Sequence, residues 1–349
     1  RGLRKPLEIL DVGNSGTTMR LMSGILCGQG FESSLTGDAS IVKRPMGRII
    51  HPLSLMGARI ESLKGNGLAP LKIQPAPLKP IYYESPVPSA QIKSSILLAA
   101  LYTEGVTTIV EPTTSRNHSE LMLNHFGGNI KVEGTKVFSS PVNELYANEV
   151  IVPSDISSAA YFMVAGLITK NSEILIKDVG INPTRDGVIK VLQKMGGQIE
   201  LDNIRTINGE KIADIVVRSS RLVGTMVEGA IIPTLIDEIP IIAVAAAFAQ
   251  GTTTIKDATE LKVKESNRID TMVHELKKMG VNIQPTQDGM TIEGGSPLNG
   301  ATLESYHDHR VAMSLTIAAL NATTDSTLLN SSCIDISYPR FFEDLKSLM

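Results

Sequence analysis

Four segments of the chain end in the same way, and this repetition limits the folds that the sequence can adopt. Each has a glycine after a bulky apolar residue and a β-prone stretch after the glycine, in the segments 55–60, 125–130, 194–199 and 278–283. The pattern predicts a helix that ends at a C′ glycine and is followed by a strand. An arginine precedes each glycine by 11 to 13 residues: Arg44, Arg116, Arg185 and Arg268. We therefore expect these four arginines near the starts of equivalent helices in a repeated α/β unit.

A second kind of helix is predicted between these segments. Its members open with polar capping residues and continue with small apolar residues, as a helix buried on most sides would; they begin near Asn14, Ser89, Ser154, Ile236 and Asp308. Short β-prone stretches follow, such as 107–110, 173–176 and 252–255. Pairing the two kinds of helix gives five repeats of roughly 65 to 85 residues, each reading strand, buried helix, strand, outer helix, strand. Segment 337–345 takes the outer-helix place of the fifth repeat.

The repeats divide into two predicted domains. A linker candidate lies at 149–154, with two repeats before it and three after it. We therefore predict domains at 1–152 and 153–349. The chain begins with Arg1 rather than Met, and the uneven count leads us to expect one further repeat ahead of it.

Composition restricts the function classes. The chain has 349 residues, of which 42% are hydrophobic and 20% charged, as in ordinary soluble globular proteins. A net charge of -3 and the absence of Trp argue against a nucleic-acid partner. Cys27 and Cys333 match no metal or disulfide pattern, which favours a reducing, cytoplasmic location. No apolar run is long enough to span a bilayer, so we expect no membrane partner.

Several predicted helix starts carry residues that suit anions. Free N–H groups and the positive end of the helix dipole favour negative charge there. The loop 13–18 has glycines that would allow a phosphate to approach the backbone, although it lacks the lysine of a Walker loop. Arg44, Arg268 and Arg310 are the best candidates to grip phosphate or carboxylate, because guanidinium binds such groups in a bidentate manner. His309 is a better phosphate donor than metal ligand, since no third ligand accompanies it.

Segment 260–268 combines cations with a carboxylate. If a helix starts there, Lys264 and Arg268 share a face, with Glu265 beside them. That arrangement suits an anion and a reaction in which a proton is transferred, but the charges considered alone favour a solvated surface turn. Asp237, before an apolar run, is either a helix N-cap or a partly buried base. Asp155 is interpreted as a capping residue.

Taken together, seven motifs resemble the 5-enolpyruvylshikimate-3-phosphate synthase family. They occur in the family's order across the whole chain, at 14–20, 43–46, 88–94, 115–120, 154–158, 262–268 and 308–310. The Ser-Ala-Gln-Ile-Lys form at 89–93 is similar to the bacterial branch called class II. The resemblance implies a two-domain inside-out α/β barrel of six βαβαββ repeats, three per domain, of which this chain would hold five.

The resemblance also implies a reaction. The enolpyruvyl group of phosphoenolpyruvate would pass to the 5-hydroxyl of shikimate 3-phosphate, with release of phosphate and without a cofactor. Asp237 would be the base on the hydroxyl and Glu265 the proton donor to the methylene carbon. The substrate-binding residues implied for phosphoenolpyruvate are Gly16, Arg44, Gln91, Arg268 and Arg310, to which we add His309, and those implied for shikimate 3-phosphate are Ser89, Ala90, Gln91, Arg116, Asp237 and Lys264. Glyphosate would compete with phosphoenolpyruvate. We expect a monomer with no metal.

Two alternatives stay open at this level. The family's N-terminal segment, with a Lys-Ser pair and an arginine, has no counterpart here, and Ile336 stands where many members have Lys or Thr. The chain could therefore be an inactive fragment or an anion-binding remnant. UDP-N-acetylglucosamine enolpyruvyl transferase shares the fold and the donor, but it uses a cysteine in a Gly-rich loop, where neither Cys27 nor Cys333 lies.

Overall fold

The computed structural model describes residues 2–349, which form two compact domains divided between Val150 and Ile151. The sequence-based boundary lies close by, at 152/153. Each domain has its own buried hydrophobic cluster. None of the helices in the described part of the chain combines the length and apolar character that a membrane span requires.

The N-terminal domain contains two repeats with identical topology. Its elements are β1 (Leu10–Asp11), α1 (Gly16–Cys27), β2 (Ser33–Thr36), α2 (Gly47–Leu55), β3 (Arg59–Ser62), β4 (Leu71–Gln74), β5 (Tyr82–Glu84), α3 (Ala90–Ala100), β6 (Thr107–Val110), α4 (His118–His125), β7 (Asn129–Glu133) and β8 (Lys136–Ser140). The two sheets have the orders β1-β2-β4-β3 and β5-β6-β8-β7. In each, the first pair is parallel and joined through a buried helix, and the remaining pairs are antiparallel.

The C-terminal domain repeats this plan with two variations. Its elements are α5 (Ile156–Ile168), β9 (Glu173–Gly180), α6 (Gly187–Lys194), β10 (Gln198–Ile207), β11 (Glu210–Arg218), β12 (Met226–Val227), α7 (Ile239–Phe248), β13 (Gly251–Ile255), α8 (Arg268–Lys278), β14 (Asn282–Pro285), β15 (Met290–Gly294), β16 (Thr302–Glu304), α9 (His309–Leu320), β17 (Thr327–Leu329) and α10 (Phe341–Ser347). Among the described residues of this domain, only the sheet of order β12-β13-β15-β14 has the four strands seen in the N-terminal repeats. The third repeat has three strands, with a single parallel bridge from Ser154 to Val179 in place of its first strand. The fifth repeat keeps only the parallel pair β16-β17, so the uniform repeat predicted from the sequence is wrong for these two.

The prediction of buried helices is confirmed most clearly for α5 and α7, whereas α8, predicted as an outer helix, also has 7 of its 11 residues buried. Nearly every residue of α7 is buried, in a run of Ile, Val and Ala, and α5 and α9 pack against it. Burial of each such Ile or Val side chain contributes about 1.5–3 kcal/mol, which outweighs the weak helix propensity of β-branched residues. The outer helix α8 instead places Lys277 and Lys278 in its last turn. The buried helices therefore form the centre of the domain.

The predicted helix ends are also confirmed. The glycine after each outer helix has a left-handed backbone, with φ of +94° at Gly57, +87° at Gly127, +88° at Gly196 and +88° at Gly280. Glycine adopts this conformation without the steric cost that a Cβ adds. One expectation is corrected: α8 begins at Arg268, and Lys264 lies before it in extended backbone, so these two residues share no helix face.

Candidate active site

In the N-terminal domain, two guanidinium groups flank the first turn of α1. The hydroxyl of Ser15 accepts a hydrogen bond from the Thr18 amide at 3.1 Å, which fixes the start of the helix. A Cβ added to Gly16 would lie 3.1 Å from Nη1 of Arg20 and 3.4 Å from Nη1 of Arg44. Gly16 is itself buried, and as a glycine it has no Cβ to crowd the two cations. The arrangement combines a helix N-terminus with two bidentate donors, which is suited to a phosphate or a carboxylate.

Helix α3 adds Gln91 to this group. The Nε2 atom of Gln91 donates to the Thr17 hydroxyl at 2.9 Å, and its Oε1 accepts from Arg20. The two helices approach closely at Gly24, where a Cβ would lie 2.2 Å from the carbonyl oxygen of Ser95. Close packing there brings the two helix starts together. Ser89 is the N-cap of α3.

Arg20 was missed by the sequence analysis. Its side chain lies one turn after Gly16 on the same helix, and the residue is only 7% exposed. The signal was present in the sequence, because an arginine four residues after a glycine at a helix start must point back along the same face.

Arg116 lies in the loop between β6 and α4, where a buried charge cluster fixes the backbone. Lys93 is 1% exposed and pairs with Glu111 at 2.8 Å and with Glu120 at 2.7 Å. Lys93 also donates to the carbonyl oxygen of Ser115 at 3.5 Å. Burial raises the pKa of Glu120, an effect that Lys93 partly opposes. The loop that carries Arg116 is thus anchored immediately before that arginine.

In the C-terminal domain, Asp237 lies between two cations. It belongs to the short 3-10 helix Ile236–Glu238 that precedes α7, and Glu238 rather than Asp237 occupies the N-cap position of α7. The Oδ1 atom of Asp237 lies 3.4 Å from Nζ of Lys264 and 3.5 Å from Nη1 of Arg268. Its side chain is 14% exposed, so it remains accessible while two positive charges favour its ionised form.

Arg268 is held by carboxylates on both sides. Its Nε and Nη2 donate to Asp308 at 2.8 and 3.2 Å, and Nη2 also donates to Glu265 at 2.7 Å. Among residues 2–349, the buried Nη1 atom has no hydrogen-bond partner. Burial acts to raise the pKa of Asp308, but the Arg268 guanidinium outweighs it and holds that pKa below its usual range. Nη1, which lies 3.5 Å from Oδ1 of Asp237, is therefore held by charge attraction rather than by a hydrogen bond.

Asp308 is a second residue for which the sequence predicted no role beyond capping a helix. Its carboxylate caps α9 by accepting from the Arg310 amide at 2.9 Å, and it also accepts from the Ser266 hydroxyl at 3.0 Å. The sequence can predict that Asp308 caps a helix, because capping is a local interaction. Its pairing with Arg268 is a tertiary contact that the sequence does not reveal.

Arg310 and His309 occupy the first turn of α9. Nη1 of Arg310 donates to the backbone carbonyl of Asp237 at 3.3 Å and lies 3.6 Å from Oε1 of Glu238. Burial and the neighbouring Arg310 charge lower the pKa of His309, so its imidazole is neutral at pH 7 and acts as a neutral donor or acceptor. No group of His, Cys, Asp and Glu suitable for a metal ion occurs within the described chain.

The predicted site residues thus form one group in each domain. Gly16, Arg44 and Gln91 meet at the start of α1, with Ser89 and Ala90 at the start of α3. The other group joins Asp237, Lys264, Glu265 and Arg268 to Arg310 and its neighbour His309. Arg116 lies at the start of α4 in the N-terminal domain. The substrate that each residue binds stays a prediction.

Comparison with known proteins identifies the family. The model of the EPSP synthase (3-phosphoshikimate 1-carboxyvinyltransferase) family matches residues 2–345. The 3-phosphoshikimate 1-carboxyvinyltransferase of Thermoanaerobacter sp. (strain X514) is 58% identical over 346 residues, which are 99% of this chain and 82% of that protein. The enzyme of the same name from Geobacillus kaustophilus (strain HTA426) is 53% identical over 350 residues, covering 100% of this chain and 82% of the relative.

Solved structures agree with this assignment. An EPSP synthase structure from Acinetobacter baumannii superposes with a TM-score of 0.91 at 45% identity, covering 99% of this chain and 80% of that one. The mixed α/β architecture is that of the enolpyruvyl transferase fold, as the resemblance implied. These matches favour the synthase over both alternatives that the sequence left open. The chain therefore belongs to the EPSP synthase (3-phosphoshikimate 1-carboxyvinyltransferase) family of enzymes.

Proposed function

We propose that this chain transfers the enolpyruvyl group of phosphoenolpyruvate to the 5-hydroxyl of shikimate 3-phosphate and releases phosphate, a step of the shikimate pathway. The observation that carries the proposal is the match of the whole chain to enzymes named for this reaction. The proposed catalytic residues lie together in the C-terminal domain, which supports it further.

In the proposed reaction, two carboxyl groups have opposite tasks. Asp237, ionised beside Lys264 and Arg268, takes the proton of the 5-hydroxyl as its oxygen attacks the substituted carbon of phosphoenolpyruvate. Glu265 gives a proton to the methylene carbon. The resulting ketal then expels phosphate, and a methyl proton returns to the Glu265 carboxylate as the enol ether forms. Arg268 donates to Glu265 at 2.7 Å and therefore fixes the orientation of that carboxyl group.

The anionic parts of the substrates need cationic partners. We propose that phosphoenolpyruvate binds at the start of α1, beside Gly16, Arg44 and Gln91, and also contacts Arg268, His309 and Arg310. Shikimate 3-phosphate contacts Ser89, Ala90, Gln91, Arg116, Asp237 and Lys264. The Arg20 and Arg44 guanidinium groups that flank Gly16 support the first assignment. Hydrogen bonds of this kind strengthen where water is excluded.

The state of the protein in solution is a further part of the proposal. We propose a cytoplasmic monomer that needs no cofactor. The free thiols of Cys27 and Cys333 support a reducing compartment. Light scattering coupled to size-exclusion chromatography measures the mass directly, and a dimer mass would contradict the monomer.

A phosphate-release assay tests the proposed reaction. We expect phosphate only when phosphoenolpyruvate and shikimate 3-phosphate are both present, because the carbon–oxygen bond to phosphate breaks only after addition to the hydroxyl. UDP-N-acetylglucosamine serves as the competing acceptor. Turnover with that acceptor, or the absence of turnover with shikimate 3-phosphate, would contradict the proposal.

Replacement of Gly16 by alanine tests the donor site. The new Cβ would lie 3.1 Å from Nη1 of Arg20, so that guanidinium group must shift by a few tenths of an ångström, and 3.4 Å from Nη1 of Arg44, which is ordinary contact. We expect the KM for phosphoenolpyruvate to rise about three- to tenfold, equivalent to about 0.6–1.4 kcal/mol. Glyphosate inhibition should weaken as well. The KM for shikimate 3-phosphate should change less than twofold.

Gly30 provides the matched control for this substitution. A Cβ at Gly30 meets no atom within 4 Å, and its backbone is not left-handed. Gly30→Ala should therefore leave all three constants unchanged. An unchanged KM for phosphoenolpyruvate in Gly16→Ala would contradict the proposal that phosphoenolpyruvate binds at the start of α1.

A further inference from the structure

Arg185 is the one arginine of the repeated set to which the proposed function gives no role. It lies immediately before α6, as Arg116 lies before α4. Its side chain is only 13% exposed. Nη2 of Arg185 donates to the Ser157 hydroxyl at 2.5 Å and to Oε1 of Glu238 at 3.2 Å. The arginine is thus turned inwards, onto the starts of α5 and α7.

Glu238 is the buried partner at this point. Its side chain is 0% exposed, and its Oε1 accepts from Ser157. The same oxygen forms ion pairs with Arg185 at 3.2 Å and with Arg310 at 3.6 Å. Within the described residues, Oε2 makes no hydrogen bond. One buried carboxylate therefore serves two arginines, next in sequence to Asp237.

The shared carboxylate affects how much of the Arg310 charge a ligand can use. Nη1 of Arg310 is placed by the Asp237 carbonyl at 3.3 Å and by Glu238 at 3.6 Å. Arg185 pairs with the same oxygen of Glu238, so this carboxylate is shared and does not pair fully with Arg310. If Arg185 lost its charge, Arg310 would be the remaining guanidinium on Glu238, and a buried carboxylate without its second partner attracts the other strongly.

We infer that Arg185 and Glu238 are positioning residues that set the location and available charge of Arg310 for phosphoenolpyruvate. The inference rests on the proposed function, which places Arg310 at the donor. Arg185 and Glu238 act through Arg310 and touch no substrate. Arg185 and Glu238 interact directly, so the effects of replacing each of them on phosphoenolpyruvate binding should not be additive.

The test is a double-mutant cycle on Arg185 and Glu238. In Arg185→Gln, Arg310 pairs more fully with Glu238, and we expect both the Kd and the KM for phosphoenolpyruvate to rise about tenfold. The KM for shikimate 3-phosphate should stay within twofold. In the double variant Arg185→Gln, Glu238→Gln, the Glu238 carboxylate no longer competes for Arg310, and we expect the Kd to return to within about threefold of the parent. A role in folding alone would not produce this recovery.

Three measurements are made on each variant of the full chain. Calorimetric titration with phosphoenolpyruvate in the absence of shikimate 3-phosphate, where no turnover occurs, gives the Kd, and phosphate release with both substrates gives KM and kcat. Thermal unfolding reports stability. Arg218→Gln is the matched control, because Arg218 lies in the same domain and bridges Glu173 and Glu200 on exposed strands. It should bind phosphoenolpyruvate like the parent.

The titration separates this inference from the proposed reaction. A parent chain that binds phosphoenolpyruvate without turnover would contradict the reaction, while the order of Kd values would still decide the positioning role. A Kd within twofold of the parent in Arg185→Gln would overturn the inference. So would a double variant that binds more weakly than either single variant.

Discussion

Asp237→Asn is expected to lower kcat by about 10²- to 10⁴-fold, the usual contribution of a positioned general base. The amide keeps the shape of the side chain but cannot take the proton of the 5-hydroxyl. The effect should fall on kcat because the flanking cations Lys264 and Arg268 remain in place to bind anions. Steady-state phosphate release with both substrates varied measures the change.

A control aspartate in the same domain is available for this substitution. Asp325 is exposed in the turn between α9 and β17. Asp325→Asn should keep the parent kcat. An Asp237→Asn variant that retained a tenth or more of the parent kcat would exclude Asp237 as the base.

Asp308→Asn is expected to destabilise the C-terminal domain by about 3 kcal/mol. The asparagine can still cap α9, so the loss isolates the charge that faces Arg268. Arg268 is 1% exposed and would keep only Glu265 and Asp237 as counter-charges. This places the expected loss at the lower end of the range for a broken buried ion pair. Urea unfolding followed by circular dichroism measures it.

The Asp308→Asn variant also tests how the stability of the C-terminal domain depends on pH. The Arg268 ion pair lowers the folded-state pKa of Asp308 below its ordinary 3.8, so the unfolded chain binds this proton first as the pH falls. The stabilisation is therefore complete above about pH 5 and is lost as the pH falls through the folded-state pKa. The stability gap between parent and variant should narrow below about pH 4. A gap of constant size from pH 7 to pH 3 would show that the Asp308 charge does not cause it.

The position of Asp308 depends on contacts that the sequence does not reveal. Two consecutive residues before it, Tyr306 and His307, have left-handed φ values of 54° and 57°. Such backbone is costly for residues other than glycine and persists only where the surroundings enforce it. The buried carboxylate of Glu275 does so, accepting from the Tyr306 hydroxyl at 3.0 Å and from the Glu304 amide at 2.9 Å.

Local chemistry made much of the fold predictable. The glycines at 57, 127, 196 and 280 end helices because a left-handed C′ residue carries no Cβ there, and the structure confirms each of them. The caps at Ser89, Asp155 and Asp308 were recognisable for the same reason, since each uses its own side chain within one turn. The shortened third and fifth repeats were not predictable, because strand pairing depends on partners far away in the chain.

The sequence by itself determined which residues stand at helix starts, and with them the family and the candidate site. Those features depend on spacing along the chain, which one turn of helix fixes. Only the tertiary structure decided how the arginines there are used. Arg20 and Arg44 flank Gly16 at the start of α1, whereas Arg268 and Arg185 are turned onto the buried carboxylates Asp308 and Glu238. These partners lie 40 and 53 residues away, and folding alone brings their charges within hydrogen-bonding distance, in a buried environment where pairing is required.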